Sequence, residues 1–125
     1  MRKVTDATFK FFCRKVRYWL KQFGVTDWTV FFAQEKRDDC EAGVRIDYEN
    51  RGLTFVLPTY LDDTSRRVID HSAIHEVAHA ALAQLDYAAT ARWVTEKEVE
   101  VAVEATVCRI TTLISNLSKP QRSRG

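Results

Sequence analysis

A chain of 125 residues, 46% hydrophobic and 29% charged, suits one globular domain with a single modest core. A net charge of +2 supplies no global basic field for nucleic acid, and no apolar run approaches membrane-spanning length. The opening "MRKVTDATFKFFCRKVRYWL" keeps charges throughout its apolar stretch, unlike a signal peptide, and the widely spaced Cys13, Cys40 and Cys108 form neither zinc-type pairs nor a disulfide framework. The expected compartment is therefore the reducing cytoplasm.

From about Thr8 to Phe23 the chain is predicted to be an amphipathic helix. Phe9, Phe12, Cys13, Val16, Trp19, Leu20 and Phe23 recur at three- and four-residue spacing, with Gly24 as the stop. Lys10, Arg14, Arg17 and Lys21 line its other side. That stripe is the only candidate nucleic-acid surface, and without interleaved exposed aromatics it reads as a solvated face.

Three strands are expected next. "WTVFFAQ" is β-branched and aromatic, "EAGVRIDYE" alternates cleanly, and "GLTFVLP" is a short apolar run ended by Pro58. "NRG" suits a tight turn between the last two, with Gly52 free to take positive φ. A small three-stranded antiparallel sheet is the predicted result. After "PTYLDDTS" a helix is expected through Leu85, burying Ile74, Val77, Ala78, Ala81, Leu82 and Leu85. A last helix opens at "VTEKEV". Thr95 and Glu98 have capping-box spacing, and an apolar face follows through Val99, Val103, Thr106, Val107, Ile110, Leu113, Ile114 and Leu117. Pro120 ends the pattern. The expected organisation is one α+β domain over residues 1–117 with a flexible basic tail at 118–125.

The chemistry-bearing stretch is "SAIHEVAHAALAQL". On a helix, His75 and His79 lie on one face one turn apart and can aim imidazole nitrogens at a single ion. Glu76 sits about 100° further round, placed to act as a general base without ligating. This H-E-x-x-H pattern calls for one Zn2+ ion, held by three protein ligands with an open fourth position.

The third ligand is narrowed by subtraction. His71 is the only other histidine, and it lies eight residues from His79, roughly 12 Å along a helix. Cys108 falls on the wrong side of its helix and Asp86 is too far along. A carboxylate of the last helix remains: Glu96, Glu98, Glu100 or Glu104. Glu98 belongs to the cap, and Glu96 lies in the first turn, where the helix dipole already accounts for it. Glu100 borders the expected apolar face and is the predicted ligand. Glu104, one turn on, is the expected partner of a ligating imidazole.

"HEVAH" followed by "EVAVE" resembles the gluzincin class of zinc peptidases, and the short chain is similar to minigluzincins and small phage-encoded metallopeptidases. The resemblance implies a zincin-like fold in which two packed helices carry the ligands His75, His79 and Glu100, with Glu76 as base and acid. Larger gluzincins also place a tyrosine or histidine near the substrate oxyanion. Tyr60, His71, Tyr87 and Arg92 are the candidates here, and the choice among them is open. The function expected is a zinc-dependent endopeptidase acting on a protein or peptide substrate, with no nucleic acid and no membrane as partner. The alternative is a latent or inactive zincin-fold module that works by protein binding or regulation.

Overall fold

The computed structural model describes residues 1–118, so the tail expected beyond the last helix lies, except for Ser118, outside the described residues. Strand β1 (Arg2–Lys3) leads into helix α1 (Asp6–Gln22), then β2 (Thr29–Glu35), β3 (Gly43–Asp47), β4 (Gly52–Pro58) and β5 (Tyr60–Leu61). Helices α2 (Arg66–Ala81), α3 (Ala83–Thr90) and α4 (Glu96–Leu117) complete an α+β domain. No helix of the described residues is long and apolar enough to cross a membrane.

Local chemistry accounts for the helix starts. Thr5 caps α1 by accepting from the Thr8 N–H at 3.1 Å, Ser65 caps α2 through the Val68 N–H, and Thr95 caps α4 through the Glu98 N–H at 3.1 Å. Helix α1 buries Phe12, Val16 and Leu20 against Leu53, Phe55 and Leu57 of β4 and against Ile69, Ala73, Val77 and Ala80 of α2. Each large apolar side chain contributes about 1.5–3 kcal/mol through this burial. Strand β4 is the centre of the sheet, which explains why it reads as a continuous apolar run.

The sheet is mixed, which corrects the antiparallel expectation. Its order is β2-β4-β3, with β2 parallel to β4 and β3 antiparallel to it. Consecutive short strands usually pair with one another. Here the connection from Lys36 to Ala42 is long enough to step across the end of β4, leaving β3 as an edge strand. The turn after β3 also differs from expectation: Arg51, not Gly52, takes positive φ, at 51°. Its carbonyl accepts from the Thr29 N–H, and its guanidinium pairs with Asp27 and stacks on Trp28, so the surroundings hold the conformation.

The helical finish has three pieces rather than two. Helix α2 stops at Ala81, and Leu82 (φ −93°, ψ 1°) breaks the run before α3. The buried apolar residues of α2 are Ile69, Ala73, Val77, Ala80 and Ala81, of which Val77 and Ala81 match the expected stripe; Leu82 is exposed. Helix α4 packs on α3 and, near its end, on α1, where the Asn116 amide donates to the Gln22 carbonyl at 3.0 Å. Its buried side is Ala102 and Thr106, with Leu113 packed against the core. Val99, Val103, Val107, Ile110, Ile114 and Leu117, expected to be buried, are exposed. The small side chains at 102 and 106 allow close helix approach, and the Thr106 hydroxyl is satisfied by the Ala102 carbonyl at 3.0 Å.

Candidate metal centre

Helix α2 presents its polar residues to one side because its small residues, Ala73 and Ala80, seat the other side in the core. His75 and His79 are exposed on successive turns, and their Nε2 atoms stand 3.3 Å apart. Tetrahedral zinc with Zn–N bonds of about 2.0–2.1 Å places two ligand nitrogens about 3.3–3.4 Å from each other. The pair therefore fits two corners of such a site. The same distance suits one N–H···N hydrogen bond between the rings, with the tautomers set by whichever nitrogen carries the proton.

Glu76 is only 7% exposed although its two histidine neighbours are in solvent. It lines a cleft of about 360 Å3 with His75 and His71 on one wall. Cys40, Glu41 and Ala42 form the opposite wall, and Asp62 and Asp63 close one side. Burial pushes the Glu76 carboxyl above the usual carboxylate range; His75, His79 and Arg37 oppose the rise, and Glu41 adds to it. A carboxylate held with a raised proton affinity beside two imidazoles is suited to accept and return a proton.

His79 faces a second hollow, of about 280 Å3, with Ile46, Leu85 and Asp86. Ile46 also borders a third, of about 690 Å3, whose walls include Trp28, Tyr48 and Tyr87. The three hollows follow edge strand β3 from Ala42 past Ile46 to Tyr48. Among the described residues, no other segment takes a backbone hydrogen bond from β3 on its free side.

The α4 carboxylates stand elsewhere. Glu100 is exposed and lines a shallow concavity with Glu96, Val99, Val103 and Glu104. It lies about 200° around the helix from the buried Ala102, so it points away from the packed side. Among the described residues, no three His, Cys, Asp or Glu side chains converge on a common point. Glu98 is engaged with Thr95, as the cap requires. Glu104 accepts from the Cys108 thiol at 3.7 Å. Of the four oxyanion candidates, His71 shares the cleft with His75 and Glu76. Tyr87 lies in the aromatic hollow, Arg92 stacks on Trp93 and Tyr60 pairs with Lys3 in the small β1–β5 sheet.

Arg37 and Glu41 are the charged groups that sequence reasoning missed. Arg37 lies in the charged loop that follows the first expected strand and Glu41 opens the expected strand "EAGVRIDYE", and neither position carries a local signal of function. Only the crossing of β4 brings that loop over the cleft, and strand order is not encoded in local spacing. Cys13, Cys40 and Cys108 are all free thiols. No protein-family model, curated protein or solved structure matches the chain.

Proposed function

We propose that the protein is a zinc-dependent endopeptidase in which His75 and His79 are metal ligands, Glu100 is the third ligand and Glu76 is the general base. The observation that carries the reading is the 3.3 Å separation of the two Nε2 atoms, with the buried Glu76 carboxyl one residue along. What zinc supplies when bound is Lewis-acid chemistry: a water acidified to a pKa of roughly 7 and a polarised carbonyl. The chain's own part is to hold the substrate and move the proton. A peptide in extended conformation adds to the free edge of β3, its main chain hydrogen-bonded to that strand, which brings a carbonyl over the α2 histidines. Glu76 takes the proton of the attacking water and returns it to the leaving amine. His71, on the same cleft wall, is the candidate to face the oxyanion.

Metal analysis of the purified chain, together with cleavage of an unfolded protein substrate by wild type and Glu76→Gln, tests the proposal. Zinc in both and cleavage by wild type alone is the expected result. A chain that takes no zinc would sink the reading. The outward position of Glu100 favours one second reading, a latent zincin-fold module that binds partners with little turnover. Zinc bound at full stoichiometry with no cleavage of any substrate selects it.

A further inference from the structure

The largest hollow of the described surface that borders β3 lies beyond the histidine pair, and the function proposed above does not use it. Trp28, Tyr48 and Tyr87 form its aromatic wall: Tyr48 and Tyr87 have ring centroids 4.8 Å apart, and Trp28 meets Tyr48 edge-on at 6.2 Å. Asp47 and Glu49 line it too, and Asp86 stands behind Tyr48, accepting its hydroxyl at 3.2 Å. The one cation in the wall, Arg51, is already committed, paired to Asp27 and stacked over Trp28 at 4.6 Å. Glu49 has no ion-pair partner among the described residues. Aromatic faces beside one uncompensated carboxylate favour a cation with a long apolar stem, because the stem covers the rings while the charge meets the carboxylate.

Position matters as much as chemistry. Ile46 borders both this hollow and the one beside His79, and Tyr48, two residues on, opens the turn just past the end of β3. A peptide laid along β3 with a carbonyl at the histidines therefore carries a side chain about two residues away into the aromatic hollow.

We propose that this hollow is a specificity subsite for a lysine or arginine side chain of a peptide substrate, bounded by Tyr48, Tyr87 and Glu49. The assignment rests on the reading of β3 as the substrate-bearing edge. A neutral apolar side chain fills the rings but leaves Glu49 facing it unpaired, Asp47 being already held by the Asn50 amide and backbone N–H, and an acidic side chain is repelled.

The test measures binding and cleavage separately. Full-length Glu76→Gln protein is titrated with capped polyalanine peptides carrying one lysine, one leucine or one glutamate, and Trp28 contributes the fluorescence signal. The lysine peptide is expected to bind about tenfold more tightly than the leucine peptide, with the gap closing as salt rises. Glu49→Lys, an exchange at an exposed position, is expected to erase the preference, and Tyr87→Ala to weaken it. Equal or tighter binding of the leucine peptide, or a lysine preference that survives Glu49→Lys, overturns the subsite. Wild type that cleaves none of these peptides while the lysine preference stands removes the peptidase reading and leaves the subsite. Cleavage of all three at one rate, with no difference in binding, does the reverse.

Discussion

The indole N–H of Trp19 donates to Asp70 Oδ1 at 2.8 Å, tying the last turn of α1 to the first turns of the histidine-bearing α2. Lys15 approaches the same carboxylate oxygen at 3.6 Å. Both helices already pack through apolar residues, so this polar tie fixes their relative height rather than their association. Hydrogen bonds to a charged group are worth about 1.5–3 kcal/mol, and a half-exposed site sits at the low end. Asp70→Ala is therefore expected to lower unfolding free energy by about 1–2 kcal/mol, and Asp70→Asn, which keeps an acceptor, by less. Urea denaturation of the three proteins checks this, and coincident midpoints would remove the tie from the stability account.

The histidine pair makes the second prediction. With either ring gone, one imidazole and water remain where two nitrogens 3.3 Å apart had been poised. His75→Ala and His79→Ala are each expected to lose zinc under dialysis conditions in which wild type keeps it. His71→Ala is expected to retain zinc, because its side chain lines the cleft and is eight residues from His79. Retention of metal by His75→Ala or His79→Ala at wild-type affinity would place the ion somewhere else.

The features legible in the sequence were those set by neighbours within one turn or one hairpin. Thr95 caps α4 as its spacing to Glu98 predicts, and His75 and His79 share a face because four residues make about one turn. What spacing could not show was where elements go relative to each other. Pairing of β2 with β4 depends on a loop crossing β4, and that crossing carries Glu41 to the cleft and Arg37 near enough for its charge to act on Glu76. The face of α4 was misread for a related reason. Its largest apolar residues form one stripe, yet the helix seats through Ala102 and Thr106, where small size permits close approach to α3. Size of the apolar payload and closeness of packing point to different faces there, and packing wins.

Glu76 yields a prediction with a definite sign. Burial raises its folded pKa above the unfolded value, so in metal-free protein the folded state binds the proton more tightly. Stability is then highest below the unfolded carboxyl pKa of about 4.3 and falls as pH rises through that value to the folded one. Glu76→Gln removes the charged form and with it the loss. In the presence of chelator, the variant is expected to be more stable than wild type at pH 7 and equal to it near pH 4. Under the proposed function the carboxylate is base and not ligand, so the variant is also expected to keep zinc while losing all peptidase activity. A variant less stable than wild type at neutral pH would show that the buried carboxylate is stabilised by contacts its charge requires.

The last prediction concerns how a third ligand reaches the histidines. Glu100 points away from the packed side of α4, and the adjoining stripe from Val99 to Leu117 is 37–60% exposed. Contiguous apolar surface of that kind is uncommon on an isolated domain unless something covers it. Both facts have one remedy. A turn of α4 about its own axis would bury the stripe and swing the Glu100 edge inward, exchanging the Ala102–Thr106 seat for a larger apolar one. Under the proposed function zinc binding is expected to drive that exchange, since a metal that binds one arrangement shifts the equilibrium toward it. Addition of zinc should then lower the fluorescence of a dye that reports exposed apolar surface in wild type, and leave it unchanged in Glu100→Ala. Zinc affinity should collapse in Glu100→Ala, fall by about 10–100-fold in Glu104→Ala as an imidazole partner is lost, and change little in Glu96→Ala. Collapse in Glu104→Ala with Glu100→Ala intact would move the ligand one turn along the same helix edge. Zinc bound tightly by all three variants, with dye fluorescence constant throughout, would show that α4 takes no part in the site.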